Sequence, residues 1–414
     1  MRLQSYITVT LFAGIFCIIG CSKNDEITII PSTTQVGTTT ITTTNIDPYA
    51  AIKLAFGTNI DPSNLENYAN QDKPVYILKN NLGNNVINDK TATLGRVLFY
   101  DKNLSINNTI SCSSCHKQNF AFGDTAEVSA GVEGGLTIRH SMRLINTRFA
   151  NEAKFFWNER AANLNMQTTM PIVDHLEMGF SGENGRGNIN TLIGKLSTIN
   201  YYKELFKFTF GDSIVTENRI QNALASFVSS IQSFDSKYDI GRALVNNDNQ
   251  PFPNFTATEN QGKTIFLTPP VFNGAGLRTT GGLGCNACHN APEFDIDPNT
   301  LNNGIIGIAN SANGIDITNT RAGTLRDITN STGAINTPMM HTGALRSLRA
   351  VINHYNTINL NPRNTNLDPR LRPGGNAQNL NVTEAEIAAI IAFMQTLGGN
   401  NVYVNKKWSN PFLN

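Results

Sequence analysis

Two short segments of this 414-residue chain contain two cysteines followed directly by a histidine. The first is Cys-Ser-Ser-Cys-His at 112–116, and the second is Cys-Asn-Ala-Cys-His at 285–289. Such a unit can bind zinc, run a dithiol redox cycle, or attach a c-type haem through two thioethers with the histidine on the iron. A closed zinc site needs four ligands and each unit supplies three, whereas a thioredoxin-like site does not need the histidine. The repeated unit therefore favours two covalently bound c-type haems.

The N-terminus is typical of an exported protein. Arg2 precedes an apolar run over 7–20 that is too short to span a membrane, and the small residue before Cys21 resembles a bacterial lipobox. We predict a signal peptide at 1–20 and a flexible Thr-rich tether at 21–46, with Cys21 lipidated; the alternative is a plain signal peptide. The mature protein would lie in the periplasm or cell envelope, held at a bacterial membrane by the lipid anchor only. The formal charge of +1 gives no argument for a nucleic-acid partner.

Similar sequences precede the two units. Both contain a glycine, a basic residue, two further residues and a phenylalanine, at 95–99 and 262–266. This duplication, together with weak strand alternation, predicts a mainly α fold of two cytochrome c-like helical domains, at 47–240 and 241–414. Helix starts are predicted from their capping residues: Thr216, Thr258 with Gln261, and Thr383 with Glu386.

Three further segments, at 128–149, 155–179 and 325–356, carry a resemblance to a known family. Their order and spacing resemble those of the bacterial dihaem cytochrome c peroxidase family, including its MauG-like branch, over most of residues 90–397. The resemblance implies one covalently attached haem per domain, with the haems near the domain interface. It also implies hydrogen peroxide as substrate and oxidoreductase activity.

The resemblance assigns roles to individual residues. Glu177 is implied as the acid–base group, Gln167 as its hydrogen-bonding neighbour, Pro171 as a pocket residue, and Trp157 as an electron relay between the haems. A carboxyl group beside a haem would be desolvated, which raises its pKa and suits proton transfer. Without the resemblance, Glu177 reads as a solvated loop carboxylate and Trp157 as a core residue. The predicted haem attachment residues are Cys112, Cys115, Cys285 and Cys288, and the predicted iron ligands are His116 and His289.

The first domain departs from the family pattern at two positions. Many members have a histidine directly after Ser-x-Gly that blocks the N-terminal iron; here Val132 follows, and it cannot ligate. We therefore predict that His116 alone holds the first iron. His140 is an alternative ligand, but it stands where the family has an asparagine that helps bind an interdomain calcium. Calcium is therefore doubtful, although Pro338 matches a position that contributes only a backbone carbonyl.

The second iron's distal ligand is predicted from spacing. Fourteen residues after His341, electron-transferring members have methionine and MauG-like members have tyrosine; this chain has Tyr355. A phenolate lowers a haem potential, whereas a thioether raises it. Tyr355 also shares a helical stripe with core residues, so Met339 and Met340 remain candidate ligands. His175 and His354 are predicted to be surface or supporting residues.

Three functions follow. The first is a peroxidase that reduces hydrogen peroxide with electrons from a small donor such as cytochrome c. The second is MauG-like oxidation of a partner protein's residues with peroxide. The third is a dihaem electron-transfer lipoprotein without peroxide chemistry, which Val132, Gln167 and Glu177 argue against. Because homologous enzymes are often dimers, a homodimer is also considered.

Overall fold

The computed structural model describes residues 47–83 and 85–413, so the predicted signal peptide, tether and Cys21 lie outside the described residues. The described chain is mainly helical, as predicted. Its α-helices are α1 (Ala50–Phe56), α2 (Asp89–Tyr100), α3 (Cys112–Cys115), α4 (Leu164–Val173), α5 (Ile189–Thr198), α6 (Asn200–Phe210), α7 (Glu217–Ser230), α8 (Lys237–Arg242), α9 (Ala257–Leu267), α10 (Leu348–Asn356), α11 (Glu384–Gln395) and α12 (Asn401–Val404).

The strands are short and form three separate antiparallel pairs within the described residues. They are β1 (Pro270–Phe272) with β2 (Arg278–Gly281), β3 (His289–Asn290) with β4 (Asp295–Ile296), and β5 (Gly307–Ile308) with β6 (Ser311–Ile315). All of them follow α9. The long segments between α9 and α10 are thus organised by hairpins and turns rather than by an extended sheet.

Two helix pairs have the same construction. In the first pair, α2 packs on α7 so closely that a Cβ on Gly95 would lie 1.9 Å from the Ala223 carbonyl oxygen. In the second pair, α9 packs on α11, and a Cβ on Gly262 would lie 1.9 Å from the Ala389 carbonyl oxygen. Only glycine permits this backbone approach. The similarity seen in the sequence at 95–99 and 262–266 therefore corresponds to a shared packing arrangement.

The phenylalanines of the two repeated sequences fill equivalent positions beneath these glycines. Phe99 lies 5.2 Å from Phe227 between ring centroids, and Phe266 lies 5.3 Å from Phe393. Rings of this size dominate core energetics, and their tilted geometry suits the aromatic quadrupole. Each pair belongs to its own hydrophobic cluster, and each cluster also contacts one cysteine of a Cys-x-x-Cys-His unit, Cys112 or Cys285.

The C-terminal segment returns to the first cluster. Val402 and the fully buried Trp408 belong to the core built by α2 and α7, although they follow the last helix of the second pair. The buried Arg96 guanidinium donates from Nε to the Ser409 carbonyl oxygen at 2.7 Å and ties this segment to α2. The domain boundary near residue 240 stays a prediction, but the chain after 400 packs with the first core.

Two of the three predicted helix starts are found in the structure. The Thr216 side chain accepts from the Arg219 backbone N–H, and Thr383 forms a capping box with Glu386. The predicted cap Thr258 with Gln261 is wrong, because the helix begins two residues earlier with a capping box between Thr256 and Glu259. Glu259 can reach the Thr256 backbone N–H with its carboxylate, and its charge also suits the positive end of the helix.

No helix within residues 47–83 and 85–413 combines the length and the apolar character that a transmembrane span requires.

Candidate active site

A first cavity of about 200 Å³ surrounds the unit at 112–116. Both cysteines and His116 line it. His116 closes the single turn of α3, and its Nδ1 lies 3.0 Å from the Phe122 carbonyl oxygen. A hydrogen bond from Nδ1–H to a carbonyl fixes the ring and leaves Nε2 as the ligating atom. Burial also lowers the pKa of His116, which favours the neutral imidazole that ligation needs.

A second cavity of about 600 Å³ surrounds the unit at 285–289. Cys285, Cys288 and His289 line it, and a 3₁₀ turn over Cys285–Ala287 presents the two thiols. Burial lowers the pKa of His289 to about 4, so this imidazole is also neutral. Its Nδ1 is buried without a hydrogen-bond partner among the described residues, unlike that of His116. The Gly323 backbone raises the pKa of His289 through a weaker contact, so this ring is held less firmly than that of His116.

The environment of the units fits haem better than the two alternatives. Burial raises the pKa of Cys112 and Cys285 to about 12 and that of Cys115 and Cys288 to about 11, opposite to the lowered pKa of a reactive dithiol. Within the described residues, no group of three or more His, Cys, Asp and Glu side chains is arranged to hold a metal ion. Each donor set instead adjoins an apolar cavity, as haem attachment requires.

Helix α4 supplies one wall of the first cavity. Gln167 and Pro171 both line it, because residues four apart share a helix face. The helix ends at Val173, and Asp174 then accepts from the Glu177 backbone N–H at 3.1 Å. This turn brings Glu177 back to the cavity beside Gln167 and Pro171. The three residues predicted for the peroxide pocket therefore line one cavity with His116, while their roles stay predictions.

Glu177 has the electrostatic character of a proton-transfer group. Burial, and to a lesser extent the nearby Asp174 carboxylate, raise its pKa to about 7. The Arg160 guanidinium, which also lines the cavity, opposes this shift. An acid poised near neutrality can both accept and return a proton at physiological pH. The reading of Glu177 as a fully solvated loop carboxylate does not fit this position.

The loop after the first unit fixes Glu177 from the other side. Val132 donates its backbone N–H to the Glu177 carbonyl oxygen at 3.0 Å. Gly131 lies so close that a Cβ there would meet the Leu176 carbonyl oxygen at 1.9 Å. The Val132 side chain is buried against Gly179 and does not line the cavity. Val132 therefore positions the Glu177 backbone.

Trp157 lines both cavities. Its Nε1 donates to the His140 carbonyl oxygen at 2.7 Å, and its ring lies edge-on to His341 at 6.3 Å between centroids. The Thr320 and Arg321 backbone N–H groups both donate to the Trp157 carbonyl oxygen. Trp157 is thus held between the two cavities, its indole by the His140 carbonyl and its backbone by Thr320 and Arg321. Its predicted relay role and its packing role are compatible with this position.

His140 is buried and lines both cavities. Its Nδ1 lies 3.0 Å from the Ala126 carbonyl oxygen and 3.1 Å from that of Glu127, while Nε2 is buried without a hydrogen-bond partner among the described residues. These bonds give the ring a structural role between the loop and Trp157. Pro338 lines the second cavity, and calcium binding stays untested.

The candidate distal ligands of the second iron lie together. Tyr355, Met339 and Met340 all line the second cavity. The Asn303 side-chain amide donates to Tyr355 Oη at 3.3 Å and to Met340 Sδ at 3.2 Å. Burial raises the pKa of Tyr355 well above its usual value, so in this environment it is a phenol. Sequence reasoning missed Asn303, because no spacing rule relates it to either ligand.

The two other histidines singled out from the sequence line neither cavity. His175 bonds through Nδ1 to Ser181 Oγ at 2.9 Å, and His354 bonds through Nε2 to the Asn303 carbonyl oxygen at 2.9 Å. His354 supports the backbone of the residue that contacts Tyr355. Sequence reasoning also missed the five cavity-lining arginines: Arg139, Arg143, Arg160, Arg321 and Arg370. The first three lie in the segments 128–149 and 155–179, but nothing in their spacing indicates a cavity.

Comparison with known proteins gives consistent matches. A family model described as di-haem cytochrome c peroxidase matches residues 89–248. The methylamine utilization protein MauG of Methylophilus methylotrophus is 26% identical over 316 residues, covering 74% of this chain and 82% of that protein. Cytochrome c551 peroxidase of Nitrosomonas europaea is 27% identical over 323 residues, covering 76% and 81% of the two chains.

A solved structure agrees with these matches. The crystal structure of a MauG-like protein associated with microbial copper homeostasis superposes with a TM-score of 0.63 at 26% identity, covering 83% of this chain and 99% of that one. The family segment includes the first Cys-x-x-Cys-His unit and Glu177, and the relatives extend over both units. The chain is thus similar to dihaem cytochrome c peroxidases and to MauG proteins, and these matches support a peroxidase-like oxidoreductase.

Proposed function

We propose that this protein reduces hydrogen peroxide to two water molecules, using two protons and two electrons from a small donor protein such as a cytochrome c. The family that it resembles implies two c-type haems. We assign one to Cys112 and Cys115 with His116 as iron ligand. The residues assigned to the other are Cys285, Cys288 and His289. When bound, the haems supply the iron centres and the electron storage that peroxide reduction needs.

Glu177 carries the proton chemistry in this proposal. Its carboxylate takes the proton from the peroxide oxygen nearer to the first histidine and returns it to the farther oxygen, which leaves as water. Gln167 lines the same cavity and can hydrogen-bond the peroxide while the proton moves. The observation that carries the proposal is the half-buried Glu177, with a pKa near 7, in the cavity of His116.

The test replaces Glu177 with Gln in protein that carries both haems. The rate of the first reaction with peroxide should fall by roughly 10²–10⁴-fold, because the amide cannot accept the proton. Glu183→Gln is the matched control, since Glu183 is an exposed carboxylate of the same segment that lines neither cavity. A Glu177→Gln rate equal to that of the control would contradict the assignment.

The pH dependence gives a second reading of the same group. Glu177 acts as a base, so only its ionised form is competent, and the rate should rise with pH through about 7. At pH 5 about one molecule in a hundred would be ionised, so the rate should fall roughly a hundredfold from its plateau. Measuring the first reaction with peroxide avoids any titration of the donor. In Glu177→Gln the profile should be flat over this range.

A second function is favoured by one observation. Tyr355 lies in the second cavity, where a tyrosine is expected for MauG-like oxidation of a partner protein. In the same assays, steady turnover with reduced cytochrome favours the first function. Failure of every donor, together with a peroxide-oxidised state that persists, favours the second. If peroxide leaves both haems unchanged, both functions fail and electron transfer alone remains.

We also propose that the protein is exported and anchored by a lipid on Cys21. Its support is the sequence at 1–21, with basic Arg2, an apolar run and a small residue before the cysteine. Incorporation of a clickable fatty acid that Cys21→Ser abolishes would support it. Release of the unmodified wild-type protein into the soluble fraction would count against it.

A further inference from the structure

Arg143 lies where the two cavities meet. Its side chain lines both of them. One guanidinium nitrogen, Nη2, donates to the Thr324 carbonyl oxygen at 2.5 Å, and Nη1 donates to Thr337 Oγ1 at 3.2 Å. Both partners come from the chain that follows the second unit. The guanidinium is therefore held from one side by neutral oxygens and faces the cavities with its remaining donors.

No carboxylate forms an ion pair with this cation among the described residues. Burial lowers the Arg143 pKa and the Asp327 carboxyl raises it through its charge, but the hydrogen bonds of that carboxyl come from the Gly399 N–H and the Tyr403 hydroxyl. Two other arginines that line the cavities have such partners: Arg139 pairs with Asp316 at 2.5 Å, and Arg370 pairs with Asp297 and Asp368. Arg160 and Arg321 also line the cavities, and like Arg143 they form no ion pair among the described residues. Arg143 is absent from the ion pairs of the described residues, and its Nε is buried without a hydrogen-bond partner. A buried guanidinium with only neutral partners is energetically unfavourable.

The carboxylates that line the cavities do not supply the missing charge. Asp368 is engaged by Arg370, and Asp295 is engaged by Lys79 at 2.5 Å. Glu177 has a pKa near 7 and belongs to the peroxide pocket. Hydrogen peroxide is neutral at physiological pH and cannot act as the counter-ion. Unlike the buried Arg148, which lines neither cavity, Arg143 borders both cavities, so an anionic ligand in a cavity can reach its guanidinium.

We propose that Arg143 binds a propionate carboxylate of a haem where the two cavities meet. This inference rests on the proposed haem assignment, because the carboxylates belong to that cofactor. Arginine suits the task because its planar fork matches a carboxylate and is more weakly hydrated than an ammonium group. Nη1 and Nη2 each keep one further N–H for the carboxylate, while Thr324 and Thr337 fix the plane of the fork.

The interaction has a measurable consequence for the redox state. A positive charge near a haem favours the ferrous form, because reduction adds a negative charge to the site. Replacing Arg143 with a neutral residue removes this charge and leaves a propionate without its partner. Both changes favour the ferric form. Arg143 therefore acts as a positioning residue that raises the midpoint potential of the haem it contacts.

The test compares Arg143→Gln, Arg143→Lys and Arg148→Gln in protein verified to carry two haems. Arg148 is a matched control, because it is buried, its Nε also lacks a partner, and it lines neither cavity. It stacks on Phe149 at 4.4 Å and donates to Gln232 Oε1 at 3.1 Å. The measurements are a potentiometric titration of each haem and the propionate bending bands in resonance Raman spectra.

For Arg143→Gln, the ratio of reduced to oxidised haem at the wild-type midpoint should fall about tenfold for one of the two haems. Arg143→Lys keeps the positive charge, so its ratio of reduced to oxidised haem should lie between those of the wild type and Arg143→Gln. Its propionate band should still shift, because lysine lacks the planar fork of arginine. Arg148→Gln should change neither ratio. Unchanged ratios for both haems in Arg143→Gln would overturn the inference. If that variant does not accumulate, an unchanged propionate band in Arg143→Lys would overturn it. Protein that attaches no haem contradicts the haem assignment instead.

Discussion

The two cavities share a motif but differ in the side chains that they add to it. The first adds a carboxyl and an amide group, from Glu177 and Gln167. The second adds thioethers and a phenol, with Tyr355 and Met340 both contacted by Asn303. Proton transfer to and from peroxide needs the first kind of group, whereas the second kind can ligate iron and set its potential. The two cavities therefore differ in the chemistry that they can support, and the difference comes from the segments that follow each Cys-x-x-Cys-His unit.

Beneath the cavities, the frames are nearly equivalent. In both helix pairs, a Cβ added to the glycine, Gly95 or Gly262, would lie 1.9 Å from the facing carbonyl oxygen. The Phe pairs below them also match, at 5.2 Å and 5.3 Å between ring centroids. The same close helix packing thus supports two sites of different chemistry. Substitutions in the two helix pairs should therefore have similar effects on stability in both halves of the chain. Substitutions in the cavities should affect each haem site differently.

The largest expected effect comes from breaking this shared frame. Gly95→Ala and Gly262→Ala should each lower the free energy of unfolding by about 3 kcal/mol or more, because the added Cβ overlaps a backbone carbonyl. Urea titration of the two variants, each carrying both haems, measures the effect. The comparison predicts similar losses for the two positions.

A matched glycine gives the control for these variants. Gly194 lies within α5, and a Cβ there would meet nothing within 4 Å. Gly194→Ala should therefore stabilise the protein by about 1 kcal/mol through helix propensity alone. If Gly95→Ala or Gly262→Ala stabilised the protein as Gly194→Ala should, the two helix pairs would not be equivalent in their packing.

The sequence predicts this frame well because each feature is local. The repeated Gly and Phe spacing and the capping residues Thr216 and Thr383 report the conformation of their own segments. The exception shows the limit of local signals. Two capping patterns overlap at the start of α9, and the structure uses Thr256 with Glu259, where the charged partner forms the stronger reciprocal bond.

The next effect concerns the residue between the cavities. Trp157→Phe should slow electron transfer between the two haems about tenfold, because the smaller ring loses the 2.7 Å bond from Nε1 to the His140 carbonyl oxygen and loosens its packing. Rapid-mixing spectroscopy after peroxide addition measures the rate. Trp408→Phe is the control, since Trp408 is buried, lines neither cavity and should affect stability only. Equal rates in the two variants would leave Trp157 with a packing role alone.

The connection between the halves could not be predicted from sequence. Arg143 lies 27 residues after His116 and 146 residues before His289, and no periodicity relates it to either. Its place between the cavities depends on Thr324 and Thr337, which are distant in the chain. Glu177 and Trp157 were found only because a family resemblance carries such long-range information. Local pattern alone favoured a solvated carboxylate and a core tryptophan.

The smallest expected effect decides what ligates the second iron. Tyr355→Phe removes the oxygen that accepts from Asn303 at 3.3 Å and keeps the ring in the α10 stripe, so stability should change by less than about 1 kcal/mol. If Tyr355 is the distal ligand, the absorption and electron paramagnetic resonance spectra of the second haem should change while those of the first stay constant. Met340→Leu is the matched variant, because its sulfur accepts from the same amide at 3.2 Å. A change with Met340→Leu and none with Tyr355→Phe would assign the thioether instead, and the second cavity would then be tuned for a higher potential and electron delivery.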